Sequence, residues 1–160
     1  MATSHALRQP ITGHDAGLPR ASALMALSAF YEAFNSRDLD ALEKNWAEGI
    51  LPVMDNPIGG IRHGWRDIAE GYKRLFYGDA RITVELHDVY EIAEGECCQF
   101  IGRETGTCET RDHTMDVNIR TSRLYMRIDG AWRQVHHHGS IDVPSQLAAY
   151  QSLVLGQPVN

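Results

Sequence analysis

The apolar positions of this chain follow two spacings, first helical and then alternating, with the change near residue 78. Leu24, Leu27, Tyr31 and Phe34 recur at i, i+3, i+7 and i+10, which places them on one face of a helix. Asn35-Ser36-Arg37-Asp38 interrupts that helix, and Asp38 can cap a second one whose face is Leu39, Leu42 and Trp46. Leu51-Pro52-Val53-Met54 reads as a strand and Asn56-Pro57-Ile58-Gly59-Gly60 as turn chemistry, so two short strands joined there are predicted. A third helix starts near Trp65, carries Ile68, Tyr72, Leu75 and Phe76 on one side, and stops at Gly78.

Beyond Gly78, Ile82, Val84, Leu86, Tyr90 and Ile92 alternate with Thr83, Glu85, His87 and Glu91, the pattern of a half-buried strand. Glu94-Gly95-Glu96 is a hairpin turn, and further strands are predicted at about 97–105, 115–128 and 132–141. Asp129-Gly130 joins the last two as a tight hairpin. Pro144 opens a closing helix through Leu147, Tyr150 and Val154. Residues 1–20 are polar and broken by Pro and Gly, so they read as a flexible arm. Residues 21–155 form the single domain and 156–160 a tail. The element order predicts an α+β fold: a curved antiparallel sheet wrapped by three N-terminal helices around a pocket.

Composition narrows the function classes. The 160 residues suffice for one core, and 43% hydrophobic with 22% charged residues is an ordinary globular balance. No apolar run approaches the roughly 20 residues that cross a bilayer. Net charge is −6 with no basic stripe, which argues against a nucleic-acid partner. Met1 to Arg20 has no apolar segment of the signal-peptide kind, so a cytoplasmic protein without a membrane partner is expected. Cys97, Cys98 and Cys108 are an odd number without a C-x-x-C pattern, which points to free thiols. No Gly-rich phosphate cradle or nicotinamide fingerprint occurs, so no cofactor is expected.

Three segments carry a resemblance. Phe30-Tyr31-Glu32-Ala33-Phe34-Asn35-Ser36-Arg37-Asp38-Leu39-Asp40-Ala41-Leu42 resembles the opening helices of SnoaL-like and ketosteroid-isomerase-like proteins, and Gly64-Trp65-Arg66-Asp67-Ile68 is similar to the start of their third helix. Thr121 to Ser140, with the frame Arg123, Arg127, Asp129, Gly130 and Trp132, resembles the last hairpin of the calcium/calmodulin-dependent protein kinase II association domain. The resemblance spans residues 22–142 and implies the cone-shaped nuclear transport factor 2-like fold and a homodimer or higher homo-oligomer. One fold of this kind hosts isomerases, dehydratases, cyclases and hydrolases as well as non-catalytic transport and assembly domains. At the places where ketosteroid isomerases carry a base, a tyrosine and a protonated aspartic acid, this chain has Asn56 after Asp55, Phe30 beside Tyr31, and Arg123 with Leu124. Steroid isomerisation is therefore disfavoured.

Asp55, His136 and His138 are the candidate catalytic residues. In a strand His136 and His138 share one face with Trp132, and His137 takes the other. Imidazoles two apart can ligate a metal only with a third ligand from elsewhere, and no metal is assigned. Arg123 matches a pocket arginine of the association domains, which can meet carboxylates, and Arg103 is a second pocket candidate whose bland alternative is a surface ion pair. Tyr31, Trp46, Asn56, Trp65, Phe76, Tyr125 and Trp132 complete the candidate ligand-binding set. The bland alternative for Asp55 and Asn56 is that they hold the turn. Two functions follow as expectations. One is a cofactor-independent isomerase, lyase or hydrolase acting on a compact carbonyl- or carboxylate-bearing ligand. The other is a non-catalytic assembly or ligand-sensing domain.

Overall fold

Local caps decide where the helices begin and end. In the computed structural model, which describes residues 1–156, α1 spans Ala23–Ser36. Ser22 accepts the backbone N–H of Met25 at its start, and Arg37 closes it with a left-handed φ of 59°. Asp38 caps α2 (Leu39–Asn45) by accepting from Ala41 N at 2.9 Å, as its position predicts. The third helix, α3 (Gly64–Tyr77), opens on Gly64, where φ is +78° and a side chain would press on the Gly49 carbonyl at 2.8 Å. Gly78 ends α3 in extended backbone (φ −78°), not in the left-handed cap that glycine offers. Pro144 opens α4 (Pro144–Leu155). The predicted tail at 156–160 lies, apart from Gly156, outside the described residues.

One seven-stranded sheet supports the helices. Its strands are β1 (Thr3–Ala6), β2 (Val53–Asp55), β3 (Arg62–His63), β4 (Arg81–Glu94), β5 (Cys97–Glu109), β6 (Thr114–Ile128) and β7 (Ala131–Ser140). Their order across the sheet is β1-β4-β5-β6-β7-β2-β3. Pairing is antiparallel throughout, except that β2 runs parallel to β7 and sets Val53 beside His136 and Asp55 beside His138. The leader expected to be a flexible arm is anchored instead. Thr3 to Ala6 add an edge strand to β4, Ile11 is buried, and Asp15 binds Thr12, Gly13 and Ser28. A four-residue edge strand and one buried side chain leave too short a pattern to read from spacing.

Two bulges set which side chains face the helices. The register of β4 against β5 shifts between His87 and Tyr90, at Asp88 with φ 52°. Ile82, Val84 and Leu86 are therefore buried, whereas Tyr90 and Ile92 turn to the outer face at 55% and 39% exposure. The second shift lies between Leu124 and Tyr125 and makes Val135 the extra residue of β7. Trp132 and Gln134 thus share the inner face with Arg123 and His137, and His136 and His138 lie on the outer one. The shared parity expected for Trp132, His136 and His138 is broken by that one residue.

Candidate functional site

Between α1 and the inner face of the sheet lies a charged cluster in an apolar interior. Alternation puts Cys98, Phe100, Gly102, Glu104, Gly106 and Cys108 of β5 inward, and Val117, Ile119, Thr121, Arg123 and Tyr125 of β6. Arg123 and Glu104 are the charged members, at 3% and 5% exposure. Arg123 Nη2 donates to Glu104 Oε1 at 2.7 Å, Nη1 to Gln134 Oε1 at 3.0 Å, and Nε to Tyr31 Oη at 3.2 Å. Tyr31 Oη donates in turn to Glu104 Oε1 at 2.9 Å. The Arg123 guanidinium carbon also lies 3.6 Å from the Phe30 ring centroid, a cation–π contact. An unpaired charge here would carry several kcal/mol of desolvation penalty, and this network offsets it. Burial lowers the affinity of Arg123 for its proton, but the surrounding tyrosines and Glu104 outweigh burial and hold it protonated.

A small cavity of about 40 Å³ adjoins the cluster, with Arg123, Glu104, His137, Tyr72, Met54 and Tyr150 among its walls. A water needs roughly 10–15 Å³, so this space admits a few solvent-sized groups, well below the roughly 300 Å³ of a drug-sized pocket. Helix α4 closes it: Tyr150 is buried, and Gln151 Nε2 donates to the Pro57 carbonyl at 2.8 Å. His137 reaches the cavity from β7 directly opposite Arg123. Its Nδ1 is buried with no hydrogen-bond partner. Burial first, and then the charge of Arg123, push the His137 imidazole well below its ordinary 6.5, so it is neutral. Burial likewise pushes the Tyr72 phenol up to about 12.

The three candidate catalytic side chains meet, but on the opposite face. Asp55 Oδ1 is 3.1 Å from His136 Nε2, and Oδ2 is 2.7 Å from His138 Nδ1. Each carboxylate oxygen therefore holds one imidazole, and the three are about one-third to one-half exposed. The cluster clamps the short strand β2 onto β7. Among the described residues, no three His, Cys, Asp or Glu side chains converge so as to hold a metal ion.

The other candidates divide by location. Asn56 lines the cavity, and its Oδ1 accepts from Ile58 N at 3.1 Å, so it also shapes the turn. Tyr31 stands behind Arg123, and Tyr125 is buried with its hydroxyl donating to Asn45 Oδ1. Trp46 and Phe76 pack in the core with Tyr72 between them. Trp65 is away from the cavity, with its indole N–H on Glu43 at 2.7 Å, and Trp132 lines a separate surface groove beside α1. Arg103 is on the outer face, bonded to Asn118 and Asp142, so the surface ion pair describes it. Its neighbour Glu104 takes the inward place. Of the missed residues, Glu104 carried a readable signal, a charged side chain whose alternating neighbours Phe100, Gly102, Gly106 and Cys108 are apolar or small, whereas the inward turn of His137 depends on the bulge at Val135.

The sequence profile of the SnoaL-like domain matches residues 24–144, three quarters of the chain. The chain belongs to the SnoaL-like family. Solved structures of similar shape place this SnoaL-like domain within the nuclear transport factor 2-like fold. A provisionally assigned dehydratase of that fold from Streptomyces avermitilis is 19% identical with a TM-score of 0.67, over 74% of this chain and 92% of its own. A ketosteroid isomerase-like protein from Erwinia carotovora atroseptica is 18% identical with a TM-score of 0.64, over 74% and 92%. A provisionally assigned calcium/calmodulin-dependent protein kinase type II association domain from Thiobacillus denitrificans is 29% identical with a TM-score of 0.59, over 72% and 90%. No curated protein sequence matches the chain. Among the described residues, no helix is long and apolar enough to cross a membrane.

Proposed function

We propose that this SnoaL-like protein binds a compact carbonyl compound in the inner cavity and moves a proton on it without a cofactor, as an isomerase, lyase or hydrolase. The observation that carries this reading is one small enclosure shared by Arg123 and a neutral His137 whose Nδ1 has no partner. Three of the five N–H donors of Arg123 are engaged, leaving two for a ligand oxygen. Charge developing on that oxygen would meet fixed donors in a low-dielectric site. The neutral imidazole is the group able to accept and return a proton. Glu104 already neutralises Arg123, so the enclosed end of the ligand is a neutral carbonyl; a carboxylate there would face Glu104.

Thermal melting of wild type and His137→Leu against small ketones, aldehydes and esters tests this. A ligand at 100 times its Kd adds about 2.7 kcal/mol to wild type. His137→Leu should remain folded and lose the shift; equal shifts in both proteins would refute the assignment. Turnover of the bound compound then separates enzyme from binder.

A second reading, an assembly domain, draws on the outer sheet face. Tyr90 and Ile101 are cross-strand neighbours at 55% and 40% exposure, and Ile92 stands beside them at 39%. An apolar patch of this kind fits a second copy of the chain. Both readings are proposed for a cytoplasmic homodimer or higher homo-oligomer.

A further inference from the structure

A second cavity of about 60 Å³ adjoins the inner one and shares Asn56, Ile58, Gly71 and Leu75 with it. Its remaining walls are Arg62, Arg74, Val154 and Leu155, between α3, the β2–β3 turn and the end of α4. Gly71 makes this arrangement possible. A Cβ there would stand 2.7 Å from Arg62 Nε and 3.2 Å from Cζ, so the missing side chain lets the Arg62 guanidinium lie across α3. Asp67 holds Arg62 in place through Nη1 at 2.9 Å, leaving its other nitrogens for a ligand. Arg74 lies one helical turn beyond Gly71, and no carboxylate pairs with it among the described residues. The nearby Glu70 is bonded to Lys73 at 2.8 Å. In a chain of net charge −6, two arginines in the wall of a cavity lined otherwise by Asn56 and apolar residues are a local reversal of sign.

We propose that this outer compartment is a carboxylate subsite, and that the ligand is a short oxo-acid lying through both cavities. Its carboxylate sits between Arg62 and Arg74, and its carbonyl reaches Arg123 and His137. This rests on the carbonyl reading of the inner cavity and adds the substrate class. Val154 and Leu155 of α4 form the apolar wall of this compartment on one side.

The test is calorimetric titration of 4-oxopentanoate and its neutral methyl ester into wild type, Arg74→Gln, Arg62→Gln and His137→Leu. Wild type should bind the acid at least about tenfold more tightly than the ester, a difference of about 1.4 kcal/mol. Arg74→Gln and Arg62→Gln should remove that preference and leave ester binding unchanged, and added salt should weaken the acid alone. Equal binding of acid and ester by wild type, with both lost in His137→Leu, overturns the subsite and keeps the inner reading. Unchanged acid binding by His137→Leu, with loss in Arg74→Gln, keeps the subsite and overturns the inner reading. Binding of neither compound by wild type overturns both.

Discussion

Glu104 and Arg123 each make the other tolerable in the interior, so removing one leaves a buried charge alone. Arg123→Met should destabilise the protein by about 3–5 kcal/mol, and the double variant Arg123→Met/Glu104→Gln should recover a large part of that loss. Additive losses in urea unfolding would show that the pair is not coupled. His137 behaves differently because its burial disfavours the proton. Its folded-state proton affinity is depressed, so the unfolded chain protonates first as pH falls below about 6.5. Wild type should therefore lose stability relative to His137→Leu by about 1.4 kcal/mol per pH unit well below pH 6.5, and show no such loss above it. Parallel stability curves for the two proteins between pH 7 and pH 5 would contradict the burial of a neutral imidazole. Glu104 could have been found from the chain alone, because it breaks an apolar alternation; Arg123 was a candidate through the resemblance of its hairpin, and His137 needed the bulge.

At the scale of elements, caps and turns are local chemistry and were readable. Asp38, Pro144 and Asp129-Gly130 act where their side chains or backbone preferences place them, whereas Gly78 ends α3 without the left-handed turn expected of it. The three-residue strand β2 is held by its ladder to β7 and by the Asp55 carboxylate between two histidines. Asp55→Ala should cost about 1 kcal/mol, the scale of partly exposed charged hydrogen bonds, and should raise amide exchange in residues 53–55 and 62–63. If Asp55 instead acts as the catalytic base, stability should hold while turnover falls by orders of magnitude, and comparing the two readouts decides it. Asp55 and the pair His136 and His138 were read as separate candidates; that they meet, and on the outer face, follows from the pairing of β2 with β7.

For the whole molecule, the apolar patch of Tyr90, Ile92 and Ile101 makes a prediction about assembly. Ile101→Lys should shift the protein from dimer to monomer in light scattering coupled to gel filtration, without changing its monomeric fold. An unchanged oligomer, or a monomeric wild type, would remove this face from consideration. By itself the sequence determined the α+β order, the helix starts at Asp38 and Pro144 and the hairpin at Asp129-Gly130, because these depend on neighbours within a few residues. The tertiary structure alone decided that Tyr90 and Ile92 face outward, that His137 and not His136 or His138 reaches the cavity, and that α4 closes it. The physical reason is that strand alternation has a period of two, so a single bulge residue at Asp88 or Val135 reverses every side chain beyond it. A bulge is a property of two paired strands, and neither strand read alone contains it.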